Sequence, residues 1–522
     1  MVWSRSSPVL SGSTYDSRRL PGMTLSRSHA LIRGVRLRPG TEPVDIRVRR
    51  GSVVEIGPWL TRFDATVHDG GGALAVPGLW DGHVHFGQWA AMSRRVDVAD
   101  TAGPEEVTAR IARHLAEHPQ EPGTVVQGFG WRVAGWDRLP TTAELDEVAD
   151  GRPVILISGD CHAGWMSTAA FHALGQPVRE GHLDEDDWFP IYTRLADLPE
   201  DPRVVRASLE SAMRAAAEKG VVGIGDMEFE EGRTAWPERT AAGLDLLRVR
   251  PCTYPEGLDD AIAADAHTGD VLDEAGLVTM GPLKVISDGS LNTRTASCCE
   301  PFVTDDVLGD PRGKQNVDRA ELTALLTRAR SHGLAGAVHA IGDAALVTAV
   351  EAYAASGARG SIEHAQLIRA QVLPRMAELG LVASVQPAHL LDDRDSTESL
   401  WPDRLDRCFA LRSMVREGVS LRLGSDAPVS PLDPWLGMAA AVHRSADERE
   451  PWGPEQALTP LEAVRASTDG IEAVSVGQPG DLVLLDDHPF PPELTTTAEQ
   501  AASLRGVRVL ATFVGGRLTH SS

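Results

Sequence analysis

Residues 336–364 read GAVHAIGDAALVTAVEAYAASGARGSIEH. A short apolar run ends in His339, a stretch rich in Ala, Leu and Val follows, and a second apolar run ends in His364. Two β-type runs around a segment of helical composition are the pattern of a strand–helix–strand unit. The same texture recurs along the middle of the chain. Candidate strands are Leu74–Pro77 leading to His85, Val221–Asp226, Leu247–Cys252, Leu283–Ser287, Ala335–His339, Ser361–His364, Val382–Gln386 and Leu421–Asp426. Eight parallel strands with intervening helices fit an α/β fold of the (β/α)8 TIM-barrel type, about 250 residues plus insertions. An open doubly wound sheet is the alternative. Thr124–Gly128 and Pro153–Ser158 lie between the first two of these strands and are assigned to an insertion at about 95–210.

Both flanks are β-rich. Ala30–Leu37, Asp45–Arg49 and Val53–Ile56 are short strands separated by turns at Pro39-Gly40 and Arg50-Gly51. Near the other end, Asp481–Leu485 and Val507–Val514 read as strands, and Gly515-Gly516 is a hairpin signal. A composite β-sandwich built from 29–77 and 478–522 is therefore expected beside a barrel domain over 78–477. Residues 1–28 read as a disordered tail. Arg18-Arg19 is followed by no apolar segment that would make it an export signal, and Met23 is an alternative start.

With 42 % hydrophobic and 24 % charged residues in 522, the chain can bury a large core. No apolar run is long enough to span a bilayer. A formal charge of −24 repels phosphate backbones and anionic lipid, so neither nucleic acid nor membrane is expected as a partner. Five scattered cysteines (Cys161, Cys252, Cys298, Cys299, Cys408) suit a reducing compartment, and the cytoplasm is the expected location. Of 50 basic residues only Lys219, Lys284 and Lys314 are lysines. A lysine in an apolar run of this chain invites the question of what its amine does that a guanidinium cannot.

The first group with chemical potential is Asp81-Gly82-His83-Val84-His85. Residues two apart on a strand point the same way, so both imidazoles can reach one ion. With 17 histidines in this length, about half a His-x-His is expected by chance, so the pair is weak evidence alone. The strand ends strengthen it. His339, His364 and Asp426 each terminate an apolar run, and Lys284 lies inside another. In a parallel barrel such ends converge on one rim, where sites of this fold are built. Singly, each has a plain alternative as a capping aspartate or a hydrogen-bonded core histidine.

Taken in order, these residues resemble the amidohydrolase superfamily, and within it the amidohydrolase family 3 branch that includes N-substituted formamide deformylase. The matching segments run from about Leu31 to His520. They include Val76-Pro77-Gly78, Gly128-Phe129-Gly130-Trp131, Asp160-Cys161-His162 with Trp165, and Asp288-Gly289-Ser290-Leu291 with Arg294-Thr295-Ala296. Val338-His339-Ala340-Ile341-Gly342-Asp343, Ile362-Glu363-His364-Ala365, Val385-Gln386-Pro387, Gly424-Ser425-Asp426-Ala427-Pro428 and Gly480-Asp481-Leu482 complete the set. The resemblance implies a distorted barrel beside a composite β-sandwich and a metal site for one or two divalent ions, Zn2+ foremost. His83, His85 and Asp426 would bind the first ion, His339 and His364 the second, with Lys284 bridging. In comparable sites the bridging lysine is carboxylated. A neutral primary amine forms a carbamate whose two oxygens join two cations, which a guanidinium does not readily do; an unmodified lysine in a mononuclear site is the alternative.

The resemblance further implies hydrolysis by metal-activated water, with Asp426 as base and His162 either stabilising the oxyanion or holding a structural role. Trp131, Arg294, Gln386 and His389 are candidate substrate contacts, the last three equally plausible as supports for other side chains. The expected reaction is cleavage of a non-peptide C–N bond in a small-molecule amide: a linear amide, an N-substituted formamide or an N-acyl amine. Cyclic amidase, deaminase or esterase activity at the same site is the alternative, and a catalytically inactive scaffold the rival of another class. A homodimer is entertained. Met166-Ser167-Thr168 stands where the branch commonly carries an asparagine, so substrate specificity does not transfer. Trp131, Trp136, Trp165 and Trp188 hint at an apolar or aromatic substrate, with core packing the equal alternative.

Overall fold

The computed structural model describes residues 29–522 apart from 93, 118–123, 132–135, 160–162, 184, 193, 196–201, 293, 304–309 and 447–448. The expected tail over 1–28 lies outside these residues. The fold is mixed α/β. Five parallel strands, Leu283–Ile286, Gly336–Ala340, Gly360–His364, Val382–Val385 and Ser420–Leu423, pair in that order. Three more, Arg248–Pro251, Val221–Asp226 and Leu79–Val84, form a second parallel sheet. A parallel bridge between Thr253 and Leu283 links one edge of each sheet. At the other edges the Asp426 N–H donates to His83 O at 2.7 Å. Strand C-termini from both sheets are thereby brought into one region.

The helices between these strands show why the chain folds this way. In Arg319–Ser331, Leu322, Leu326 and Ala329 are spaced to share one face, and all are buried. Asp318 caps the helix by accepting from the Glu321 N–H at 2.9 Å. Asp343–Ser356 ends at Gly357, whose φ of +64° suits a residue without a Cβ. Leu322, Leu326, Leu346 and Tyr353 pack with Leu283, Val338 and Ile362 of the strands. Each buried Leu or Ile contributes roughly 1.5–3 kcal/mol.

One expected strand is placed differently. Leu74–Pro77 does not lead to His85; it pairs antiparallel with Leu482–Leu485, and the parallel strand is Leu79–Val84. The break falls at Pro77-Gly78. A Cβ on Gly78 would meet Val222 Cγ1 at 2.4 Å, so only glycine lets the chain pass there. Leu79–Val84 is buried throughout although it carries Asp81 and His83, which hide it from a reading of apolar periodicity.

The terminal segments make two four-stranded sheets. One runs Ser52–Gly57, Val44–Arg49, His29–Val35, Thr66–Asp69, and the other Arg517–Ser521, Val509–Val514, Leu482–Leu485, Leu74–Pro77. Ile32, Ile46 and Val48 of the first share a core with Ala75, Leu482, Leu484 and Phe513 of the second. The Gly515-Gly516 turn, with φ of +57° and +80°, joins an antiparallel pair. Between the first two parallel strands a five-stranded sheet carries Val126–Trp131 and Val154–Ser158. Among the described residues no helix is long and apolar enough to cross a membrane.

Candidate active site

Asp81, Glu363 and Gly424 set the positions of the residues around them. Asp81 is buried, and its Oδ1 accepts from the His83 N–H at 3.1 Å and the Ser425 N–H at 3.0 Å. Burial lifts its pKa to about 6 against the pull of these hydrogen bonds. It ties the strand bearing His83 to the loop bearing Asp426. That loop packs closely: a Cβ on Gly424 would stand 2.6 Å from His83 N and 2.9 Å from His83 Cβ. Gly424→Ala is therefore expected to lower stability by about 1–3 kcal/mol. Thermal unfolding of the metal-free protein checks this, and an unchanged midpoint would contradict the packing.

Glu363 is fully buried on the strand Gly360–His364. Its Oε2 accepts from His83 Nδ1–H at 2.7 Å and its Oε1 from the Ser361 hydroxyl. The carboxylate accepts but does not donate, which puts the ring proton on Nδ1 and leaves Nε2 as a lone pair. His83 Nε2 then faces Asp426 Oδ1 at 3.4 Å and Lys284 Nζ at 3.3 Å. His85 Nε2 lies 3.5 Å from the same Asp426 oxygen, and its Nδ1 is buried without a hydrogen-bond partner. Donor atoms of His83, His85 and Asp426 lie within 4.8 Å of one another, as do those of His364, His389 and Asp426.

His339 joins this cluster through its ring, 4.5 Å from that of His364, which is 4.9 Å from His83. Its Nε2 lies 3.1 Å from Gly289 O and so is committed to the backbone, leaving Nδ1 for any other partner. Asp288 braces the same loop. It is fully buried and accepts from the N–H groups of Ile341, Gly342 and Ser297 at 3.1, 2.8 and 2.9 Å. Burial pushes its pKa up to about 7. Burial also drives the four imidazoles toward neutrality: His83 and His364 fall well below the usual range, His85 to about 4 and His339 to about 3. The Lys284 amine, 2 % exposed, is lowered by burial too, against the attraction of Glu363 and Asp426. Lys219 and Lys314 are exposed, so the one lysine in an apolar strand is also the one buried.

A cation fits this cluster. The His83 lone pair and the Asp426 carboxylate oxygen, 3.4 Å apart, repel unless a proton or a cation lies between them, and His85 Nε2, 3.5 Å from the same oxygen, completes a donor set of the kind that holds a metal. Glu363, holding the ring of one such donor from behind, is expected to tune its hold on metal. Glu363→Ala should weaken metal affinity by about 10–100-fold, and Glu363→Gln, which keeps an acceptor, by less. Competition with a chromophoric chelator measures both, and wild-type affinity in the alanine variant would contradict the expectation.

The other sequence candidates divide. Gln386 is buried, accepts from His364 Nδ1–H at 2.9 Å and donates to Ser384 O, so it orients an imidazole. His389, expected as a substrate contact, stands with its Nε2 3.8 Å from Asp426 Oδ2 and without a hydrogen-bond partner, among the potential metal donors. Trp131 is fully buried and stacks on Trp136 in the core of the inserted sheet with Ile111, Leu145 and Trp165. It packs that sheet, with His182 edge-on to its ring at 6.4 Å. Trp165 and Trp188 are likewise core residues. Arg294 is half-buried in the turn after Leu291, at a φ of +56°. His162 lies outside the described residues. The roles of Asp81, Glu363 and Asp288 escaped sequence reasoning. Their signal was an acidic residue within or directly after an apolar strand, where a buried charge demands partners.

The sequence profile of the amidohydrolase family (Amidohydro_3) matches residues 66–520. N-substituted formamide deformylase of Arthrobacter pascens is 27 % identical over 506 residues, covering 88 % of this chain and 90 % of its own. Protein LONG AFTER FAR-RED 3 of Arabidopsis thaliana is 26 % identical over 529 residues, covering 90 % and 87 %. The crystal structure of an uncharacterized metal-dependent hydrolase from Pyrococcus horikoshii OT3 superposes with a TM-score of 0.77 at 23 % identity, over 88 % of this chain and 98 % of that one.

Proposed function

Because the chain belongs to the amidohydrolase family, we propose that it is a metal-dependent hydrolase of non-peptide C–N bonds. Its substrate is a linear amide, an N-substituted formamide or N-acyl amine. One observation carries the reading: Nε2 of His83 and Nε2 of His85 both face Asp426 Oδ1, at 3.4 and 3.5 Å, beside a buried lysine. The similarity to a formamide deformylase along most of both chains supports the choice of bond. The eight parallel strands are read as a (β/α)8 barrel over 78–477, with 29–77 and 478–522 as a composite β-sandwich.

His83, His85 and Asp426 would hold one divalent ion, and His364 and His389 with Asp426, adjoined by His339, a second. Imidazole and carboxylate donors suit Zn2+. Such an ion, when bound, polarises a carbonyl and acidifies water. Burial favours the neutral form of the Lys284 amine, which would add to carbon dioxide with loss of a proton, and the two oxygens of the carbamate would each serve one cation. Asp426 accepts a proton from the attacking water and returns it to the departing nitrogen. Glu363 and Gln386 keep His83 and His364 in the tautomers that leave Nε2 free.

Elemental analysis of gently purified protein, combined with turnover of formamides, N-acyl amines, cyclic amides and aminated rings, tests this. Bound transition metal with matched release of amine and carboxylate is expected. Ammonia release from rings, or a metal-free chain without turnover, overturns the reading.

A further inference from the structure

Two exposed apolar residues belong to the loops that carry or adjoin the histidine cluster. Phe229, three residues past the strand Val221–Asp226, is 62 % exposed, yet its ring stacks on His85 (centroids 5.5 Å apart, planes at 30°) and on Tyr254 (5.1 Å, 28°). Tyr254 is anchored through its hydroxyl, which donates to Met227 O at 2.8 Å. The Phe229 backbone is pinned as well: Glu228 accepts from the N–H of Phe229 and from the N–H and side-chain amide of Gln88, each at 3.0 Å. Val429 is 67 % exposed, and its N–H bonds Asp426 O at 2.9 Å, closing the turn that presents Asp426.

Scattered exposed apolar residues are ordinary. These two come from loops after different strands: the Phe229 ring lies on His85, Val429 is tied through its backbone to Asp426, and His85 and Asp426 are 3.5 Å apart. A ring already fixed by stacking and by its backbone loses little freedom when a second apolar surface covers it, so it binds at low entropic cost. We infer that Phe229 and Val429 form an apolar rim that receives a hydrophobic substituent of the substrate, and that preferred substrates carry an aromatic or branched apolar group next to the scissile amide. The inference rests on the reading of the site as an amide hydrolase. In a formamide the acyl carbon bears only hydrogen, so there the group is the nitrogen substituent.

The test has two arms on metal-loaded protein. In the first, kcat/KM is measured for N-(2-phenylethyl)formamide and N-methylformamide. The ratio should fall about 10–100-fold in Phe229→Ala, carried by KM, and less in Phe229→Leu. In the second, calorimetry compares 3-phenylpropionohydroxamic with acetohydroxamic acid, which bind a cation without being hydrolysed as amides. Wild type should favour the phenyl compound, and Phe229→Ala and Val429→Asp should each lose part of that preference. Metal content checks that His85 is undisturbed; if Phe229→Ala loses metal, Val429→Asp carries the test. Ratios unchanged in both arms overturn the rim. A preference among hydroxamates with no turnover of any formamide supports the rim and overturns the formamide reading.

Discussion

Asp426→Asn is expected to lower kcat by about 10²–10⁴-fold, the range that a positioned general base supplies. The substitution keeps side-chain size, and the backbone has reason to stay. Asp426 sits at a φ of +56°, where asparagine is among the few tolerated side chains, and its N–H donation to His83 O is untouched. What disappears is the negative charge that faces His83, His85 and His389 at 3.4, 3.5 and 3.8 Å. Two functions go together: affinity for a cation and the capacity to take a proton. Thermal unfolding should change little while turnover collapses, and excess metal should not restore it. Near-normal kcat in this variant would remove Asp426 as the base.

Much of this arrangement was legible because the parallel strands are short, apolar and closed by polar residues. His339, His364 and Asp426 stood out as the ends of apolar runs, and Lys284 as a lysine in a chain that uses arginine. Leu79–Val84 was not legible, since Asp81 and His83 are buried in it and paired through bonds that local periodicity does not encode. Glu363 escaped for a related reason. Its partner is His83, 280 residues away, and neighbouring sequence holds no trace of that pairing. Gln386 and His389 were found with two duties left open, and the hydrogen bond of Gln386 to His364 matches the supporting one. Position at a strand end does not say whether a side chain turns toward the opening or beneath another residue.

Lys284→Met separates what this site needs from what the fold needs. Methionine matches the lysine stem in length and volume and carries no amine. Activity is expected to fall at least as far as the about 100-fold that loss of an outer support costs at metal sites. The metal-free variant should be as stable as wild type or more so, because a buried amine pays desolvation that a thioether does not. Turnover and thermal unfolding, measured on the same preparations, give the two halves. Activity within a few-fold of wild type would exclude Lys284 from metal binding. A marked loss of stability would mean that its amine holds the fold by the contact at 3.3 Å to His83.

The pairing of Leu74–Pro77 with Leu482–Leu485 has a consequence for how the protein is made. The partners lie about 400 residues apart, so the ribosome finishes one long before it begins the other. At ~5–20 residues per second, the first strand waits roughly 20–80 s for its cover. During that interval Ile32, Ile46 and Val48 have no Leu482, Leu484 or Phe513 to pack against. The nascent chain thus carries an uncovered sheet while the roughly 400 intervening residues are made, and the strands from Leu482 onward complete the layer begun by Leu74–Pro77.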